Sequence, residues 1–226
     1  MCKAPRPGQA KTRLAVLIGA EAAAALSAAF LRDVAAAIAA IPSDVGYNGY
    51  GVYAPAGAES ELRQVLPASF RLLLQVDADF GNVLHRAARD LLSAGHDCAL
   101  LVNGDSPTLP SRLMVDAIAA LRRSGDRMVL GPASDGGYYL IGLKHAHRHV
   151  FADIPWGTGD VARLTLARAR EIGLEAVLLP EWYDIDDAES LGWLRAELAG
   201  RSARFQGGSL AASTREYLAR SPAAGR

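Results

Sequence analysis

The chain has 226 residues, half of them hydrophobic, and its 24 basic and 24 acidic residues leave no formal net charge. This composition supports a full hydrophobic core and excludes a chain that is disordered throughout. It also argues against a nucleic acid polymer as partner, because proteins that bind one usually carry a basic excess or a basic stripe. The two cysteines are too few for a disulfide framework in a chain of this length, and they suit a reducing cytoplasm.

The N-terminal segment KAPRPGQAKTR is predicted to be a loop, because two prolines and a glycine break regular structure there. A long alanine-rich helix follows from about Leu14 to Ile41, with a break near Gly19. Charged residues divide this helix into apolar stretches far shorter than the ~20 residues that a spanning helix needs. We therefore predict no membrane span.

Strands and helices then alternate almost to the end of the chain. The strand-like runs are GYGVYAPA, FRLLLQV, CALLVNGD, RMVLGPA, GYYLIGLK and LEAVLLPEWYDI. The helical segments are LHRAARDLLSAG, Ser111 to about Arg123, TGDVARLTLARAREIG and DAESLGWLRAELAG. This alternation predicts an α/β fold, a three-layer sandwich with a mostly parallel central sheet. We expect one domain over residues 1–200 and a partly disordered tail over 201–226.

A carboxylate ends the apolar run LLVNGDSPTLP, at Asp105. Open α/β sheets bind ligands beyond the carboxyl ends of their strands, and Mg²⁺ prefers one or two carboxylates together with substrate phosphates. Asp105 is therefore a candidate metal ligand. The alternative is a turn aspartate that binds nearby backbone amides, and this segment alone does not choose between the two.

The basic loop PRPGQAKTR is the second candidate element. Gly8 would let the backbone approach a ligand closely, and Lys11 and Arg13 would attract phosphate. The spacing is not that of a P-loop, and an exposed basic loop without a ligand explains the segment equally well.

The segment SDGGYYLIG combines Asp135 with the turn glycines Gly136 and Gly137. The pattern predicts a hairpin, and Asp135 is also placed to orient an acceptor hydroxyl or accept its proton. Trp156 in IPWGT would either stack on a ring of the substrate or fill the core.

Acidic residues also cluster in WYDIDDAESL, where Asp184, Asp186 and Asp187 precede a helix. One of them is a candidate second metal ligand, although helix capping explains Asp187. The histidines of HAHRH would bind zinc if they shared a strand face, but the neighbouring Lys144 and Arg148 favour a solvated loop.

Taken in order, KAPRPGQAKTRL, NGDSPTLP, DGGYYLIGL, IPWGT and YDIDDAESL resemble one known family. They are similar to the glycosyltransferase-like proteins known as radical-SAM/selenodomain-associated transferases, which are related to the 2-phospholactate and molybdenum-cofactor guanylyltransferases within the nucleotide-diphospho-sugar transferase superfamily. The resemblance runs from Lys3 to about Leu198.

The resemblance implies a GT-A type, Rossmann-like fold and assigns roles to residues in four of the five segments. The nucleotide phosphates would be bound by the loop residues Lys3, Pro7, Gly8, Lys11, Thr12 and Arg13. A Mg²⁺ or Mn²⁺ ion would be held by Asp105, with Asp186 as a second ligand. The sugar or acceptor would lie near Asp135, Gly136 and Gly137. Members of the family have an apolar strand before the loop, whereas only Met1 and Cys2 precede Lys3 here. Three explanations are open: the true start lies upstream, which we expect, or another segment replaces that strand, or the protein is impaired.

The leading prediction is a metal-dependent glycosyltransferase with a nucleotide-sugar donor and a small-molecule acceptor. Lys11 and Arg13 would stabilise the departing diphosphate, and Asp135 would be the base. The alternative is a guanylyltransferase-like nucleotidyltransferase that acts on a nucleoside triphosphate and a small phosphorylated acceptor. A third hypothesis is a non-catalytic nucleotide-binding protein. The identities of the nucleobase, the sugar and the acceptor stay open, as does the oligomeric state.

Overall fold

The computed structural model describes residues 1–76 and 78–220, and the chain forms two compact units. Unit 1 comprises Met1–Leu74, Gly104–Ser111 and the chain from Asp184, and unit 2 comprises Gln75–Asn103 and Arg112–Tyr183. Each unit has its own sheet. One domain over residues 1–200 stays a prediction.

The predicted strands and helices occur in the predicted order, together with three elements that the sequence did not predict: a strand at Cys2–Lys3 and helices at Glu59–Arg63 and Ala212–Arg220. The strands are β1 (Cys2–Lys3), β2 (Tyr50–Ala54), β3 (Arg71–Leu74), β4 (Ala99–Val102), β5 (Arg127–Pro132), β6 (Tyr138–Leu143) and β7 (Glu175–Leu178). The α-helices are α1 (Thr12–Ile18), α2 (Ala20–Ala39), α3 (Glu59–Arg63), α4 (Phe80–Ser93), α5 (Ser111–Arg122), α6 (Val161–Glu171), α7 (Ala188–Leu198) and α8 (Ala212–Arg220).

Unit 1 is built on a parallel sheet in the order β1–β2–β3. The predicted break in the N-terminal helix is confirmed: α1 and α2 meet at Gly19, whose φ of 87° is in the region that favours glycine. One apolar cluster packs beside the sheet and is formed by Cys2, Ala4, Leu31, Ala35, Tyr53, Ala58, Leu62, Val65, Leu66 and Phe70.

Helix α2 is long and apolar enough to cross a membrane by length and composition, but 61% of its most apolar window is buried inside the protein. It packs against α1 and α8 within unit 1. A core helix of a globular unit shows the same combination, so the length and composition of α2 are weak evidence for a span.

The tail contains α8, and a buried carboxylate of α2 holds its first turn. Asp33, whose exposed fraction is only 5%, accepts hydrogen bonds from the backbone amides of Ser213 at 2.9 Å and Thr214 at 2.8 Å. The first amides of a helix have no partner within the helix, and a negative charge at that end is favourable. Asp33 thus joins the tail to the core of unit 1.

Replacement of Asp33 by alanine is therefore expected to lower the free energy of unfolding by about 3 kcal/mol. The amides of Ser213 and Thr214 would lose their hydrogen bonds to a charged group and would keep no protein acceptor in its place. Chemical denaturation of both proteins measures the change. Asp44→Ala, at an exposed acidic residue of the same unit, should change stability by less than about 0.5 kcal/mol. Equal effects of the two substitutions would show that Asp33 does not hold the tail.

Unit 2 contains a four-stranded sheet in the order β4–β6–β5–β7. β6 is antiparallel to both neighbours, whereas β5 and β7 are parallel. The β5–β6 hairpin predicted from SDGGYYLIG is confirmed. The strand predicted over LEAVLLPEWYDI is shorter than expected and ends at Leu178. Pro180, which lacks a backbone N–H, follows closely and cannot donate to a strand ladder. The α/β class is confirmed.

Candidate functional site

The basic loop of unit 1 is anchored at its start and at its middle. The Ala4 amide donates to the Ala54 carbonyl at 2.9 Å, which continues the β1–β2 pairing. The Arg6 guanidinium then binds the Glu61 carboxylate through two nitrogens, at 3.0 and 2.6 Å. Gly8 follows with φ of 72° and open space around it. Lys3, Pro7 and Gly8 are exposed, so this part of the loop presents accessible backbone and one ammonium.

Asp105 owes its position to the glycine before it and to a pairing with a distant segment. A Cβ at Gly104 would lie 2.7 Å from the Leu31 side chain and 2.9 Å from the Met1 carbonyl oxygen, so only glycine fits there without displacement. The Ile185 amide donates to the Asp105 carbonyl at 3.0 Å. This backbone bond places Asp186, the next residue, beside Asp105.

Lys11 lies between these two carboxylates. Its Nζ is 2.8 Å from Asp105 Oδ1 and 2.7 Å from Asp186 Oδ1. The Lys11 side chain is only 5% exposed, whereas the two carboxylates are 40% and 36% exposed. The backbone of Lys11 has φ of 49°, an uncommon value for a residue other than glycine. The structure thus brings together the predicted loop lysine and both predicted metal ligands.

Lys11 is a buried cation whose charge is stabilised by the two neighbouring carboxylates. Burial acts to lower the pKa of the Lys11 ammonium, but Asp105 and Asp186 outweigh burial, and the pKa is raised above its ordinary value. Lys11 therefore stays charged at neutral pH. One ammonium faces two carboxylates, and the Arg13 guanidinium, 3.7 Å from Asp186 Oδ2, supplies the second positive charge.

Arg13 and Thr12 complete the loop at the start of α1. Arg13 Nη2 is 3.7 Å from Asp186 Oδ2, and the arginine side chain is 70% exposed. Thr12 is exposed as well. The guanidinium keeps most of its donor surface in solvent, where it is accessible to an anionic ligand.

Asp105 and Asp186 fit a Mg²⁺ or Mn²⁺ ion by the chemistry of their donor set. Both carboxylates approach one cationic atom from separate chain segments, and both are partly exposed. Hard divalent cations take such oxygen ligands together with phosphates. The Lys11 ammonium already lies between the two, so an incoming metal ion and Lys11 would compete for the same oxygens.

Asp187 has the capping role that the sequence predicts for it. Its side chain accepts from the Ser190 amide at 2.9 Å, and Ser190 returns the bond in a capping box at the start of α7. The backbone and side-chain hydrogen bonds of Ser190 lower the pKa of Asp187. Capping thus accounts for Asp187, while its neighbour Asp186 belongs to the Lys11 cluster.

In unit 2, Asp135 forms the turn between β5 and β6. Its Oδ1 accepts from the Gly137 amide at 2.8 Å. A Cβ at Gly136, which has φ of 88°, would overlap the backbone of Gly159. The Asp-Gly-Gly turn is therefore packed tightly against the segment before α6. Asp135 itself is exposed.

Trp156 packs against aromatic neighbours of the same unit. Its ring lies edge-on to Phe80, with centroids 5.1 Å apart, and to Tyr138, with centroids 6.3 Å apart. The tryptophan is only half-buried. Contacts with Phe80 and Tyr138 therefore cover part of the Trp156 ring, and the rest of the ring is accessible to solvent.

Solved structures share this fold. A crystal structure at 1.90 Å resolution from Desulfovibrio desulfuricans G20, of a protein described as a nucleotide-diphospho-sugar transferase, matches with a TM-score of 0.80 and 30% identity, over 96% of this chain and 93% of that chain. CMP:2-keto-3-deoxy-manno-octonic acid synthetase in complex with CTP matches in fold, with a TM-score of 0.55 and 10% identity over 76% of this chain and 88% of that chain.

The chain is therefore a transferase with a GT-A-like fold of the nucleotide-diphospho-sugar transferase type. A phosphoenolpyruvate guanylyltransferase from Roseiflexus sp. (strain RS-1) is 30% identical over 201 residues, which are 87% of this chain and 84% of the relative. The model of the family described as "Uncharacterized protein conserved in bacteria (DUF2064)" matches residues 38–158, and the chain belongs to that family. The resemblance carried by the five sequence segments is thereby confirmed.

Proposed function

We propose that the protein is a metal-dependent glycosyltransferase that uses a nucleotide-sugar donor. The observation that carries the phosphate and metal part of this proposal is the Lys11 cluster, in which a loop lysine and an exposed loop arginine accompany two carboxylates suited to a divalent cation. This combination is what a diphosphate with its metal ion requires. The similarity of the chain to a protein described as a nucleotide-diphospho-sugar transferase supports it.

In this proposal the loop holds the donor and stabilises its departure. Asp105 and Asp186 would hold Mg²⁺ or Mn²⁺, which supplies positive charge to the leaving diphosphate. Arg13 extends its guanidinium to phosphate oxygens, and the exposed backbone around Gly8 offers further donors. Lys11 keeps the two carboxylates together, and its positive charge adds to the field at the phosphates.

The transfer needs one further group on the acceptor side. The acceptor oxygen forms a bond to the anomeric carbon, the bond from that carbon to the diphosphate breaks, and the acceptor proton goes to a base. The sequence resemblance puts Asp135 near the acceptor, and its carboxylate is exposed at a fixed turn. We propose Asp135 as this base, with the sugar or acceptor near Gly136, Gly137 and Trp156. The protein is proposed to act in the cytoplasm, where its cysteines would stay reduced.

Nucleotidyl transfer is the second candidate, and the guanylyltransferase relative favours it. Here a phosphate oxygen of the acceptor attacks the α-phosphate of a nucleoside triphosphate, and pyrophosphate leaves. The same loop and carboxylates would serve. No carboxylate base is needed, because an acceptor phosphate is already ionised.

A product analysis distinguishes the two reactions. The purified chain is incubated with Mn²⁺ or Mg²⁺, a panel of nucleotide sugars or nucleoside triphosphates, and pooled small-molecule acceptors. Release of a nucleoside diphosphate from a nucleotide sugar supports glycosyl transfer, and release of pyrophosphate from a triphosphate supports nucleotidyl transfer. Metal-dependent nucleotide binding without turnover of any donor would leave the non-catalytic hypothesis as the better one.

Asp135→Asn is expected to lower the rate of glycosyl transfer about 10²–10⁴-fold, because the amide cannot accept the acceptor proton. Asparagine keeps the oxygen that accepts from Gly137, so the turn should persist. Under nucleotidyl transfer the same substitution should cost only a few-fold. The matched control is Asp153→Asn, whose carboxylate is 85% exposed in the same unit. An unchanged glycosyl transfer rate in Asp135→Asn would eliminate Asp135 as the base.

A further inference from the structure

A second group of ligand-type side chains lies in unit 2, at the end of the β5–β6 hairpin that is remote from Asp135. Asp126 immediately precedes β5, and His145 and His147 follow β6. The pairing of Met128 with Leu143, continued outward, puts position 126 opposite position 145. The sequence alone favours a solvated loop for these histidines; it contains no local sign that a carboxylate joins them.

The three side chains converge. His145 Nδ1 lies 3.0 Å from Asp126 Oδ1, and His147 Nε2 lies 2.7 Å from Asp126 Oδ2. The His147 amide donates to the His145 carbonyl at 2.9 Å, and this tight turn brings the two rings to the same side. One ligand atom from each residue lies within 4.8 Å of the other two.

The backbone that carries these residues is held in place. Lys144 Nζ donates to the carbonyls of Arg123 at 3.0 Å and Gly125 at 2.8 Å. The buried Arg127 guanidinium donates to the Ser124 carbonyl at 2.7 Å from the other side of Asp126. Because hydrogen bonds hold residues on both sides of Asp126, a metal ion that bound there would have to order little additional backbone. The Lys144 ammonium, which would repel a cation, is engaged by carbonyl oxygens.

Two imidazoles and one carboxylate are a donor set typical of zinc. Zinc takes nitrogen and oxygen ligands at about 2.0–2.2 Å, and a site with three protein ligands leaves the fourth position to water. Magnesium, by contrast, rarely accepts imidazole nitrogen. The side chains of His145, His147 and Asp126 are 67%, 27% and 35% exposed, so an ion can reach them.

We propose that Asp126, His145 and His147 form a binding site for Zn²⁺, separate from the carboxylates around Lys11. Both imidazoles would bind as neutral rings through the nitrogens that now face Asp126. Binding would connect the segment before β5 to the segment after β6.

Calorimetric titration of the chelator-treated, full-length protein with Zn²⁺ tests the proposal. His145→Gln, His147→Gln and Asp126→Asn should each weaken Zn²⁺ binding at least about tenfold, since even loss of an outer-shell partner costs that much. His149→Gln is the matched control, because His149 pairs with Glu171 at 2.7 Å and lies outside the cluster. It should bind Zn²⁺ as the wild type does, and Mg²⁺ should not compete at equal concentration.

Asp105→Asn separates this site from the unit 1 carboxylates, since Zn²⁺ affinity at the histidine cluster should persist in that variant. Substitution by Co²⁺ gives a second signal: the visible absorption of a low-coordinate ion should appear in the wild type and disappear in His147→Gln. Unfolding curves of the metal-free variants verify that each is folded, and Asp126→Asn serves if a histidine variant is not. The proposal is overturned if the wild type binds no Zn²⁺, or if every ligand variant binds it unchanged.

Discussion

Asp105→Asn is expected to lower the rate of transfer about 10²–10³-fold, the range found when a charge-stabilising group is removed from an active site. The substitution removes half of the negative charge that would hold the divalent cation, and it keeps the shape of the side chain. The partly exposed Asp105 carboxylate also lies 2.8 Å from the Lys11 ammonium, so the substitution removes one of the two negative charges that neutralise this lysine.

The measurement is kcat and kcat/KM over a range of Mn²⁺ concentrations, together with a direct Mn²⁺ titration. The variant should need more Mn²⁺ and should not reach the wild-type rate at saturation. Asp44→Asn, at an exposed carboxylate of unit 1, should behave as the wild type in both assays. Normal Mn²⁺ affinity and normal turnover in Asp105→Asn would refute a metal role for this residue.

Lys11→Met should also lower the transfer rate about 10²-fold, but through a different loss. The buried ammonium would contribute charge near the phosphates, and it bridges the two carboxylates, with Nζ 2.8 Å from Asp105 Oδ1 and 2.7 Å from Asp186 Oδ1. Methionine fills a similar volume without charge. Because the ammonium no longer competes for the same oxygens, the variant should bind Mn²⁺ at least as tightly as the wild type.

The two variants therefore have opposite metal phenotypes, and that contrast is the decisive result. Arg32→Met, which removes an exposed positive charge from α2 of the same unit, is the control and should keep full activity. Denaturation of Lys11→Met is followed in parallel, since two carboxylates without their counter-ion repel each other. If Lys11→Met lost Mn²⁺ affinity to the same extent as Asp105→Asn, the lysine would be needed to form the metal site and would not compete with the ion.

Local features of the chain were predictable because their causes lie within a few residues. The break between α1 and α2 follows from Gly19, the hairpin from the Asp-Gly-Gly turn, and the start of α7 from the Asp187 cap. The length of β7 was not predictable from the sequence, because the apolar pattern continues after Leu178 whereas the strand ends there.

The sequence by itself determined the alternation of strands and helices, the α/β class and the candidate residues of the basic loop and the strand ends. Only the tertiary structure decided which of these side chains meet. Lys11 reaches both carboxylates because the Ile185 amide pairs with the Asp105 carbonyl. Arg6 forms an ion pair with Glu61 on α3. Asp126 lies beside two histidines because of the register of β5 and β6. Helix and turn preferences depend on neighbouring residues, whereas an ion pair or a ligand set depends on where distant segments of the folded chain pack together.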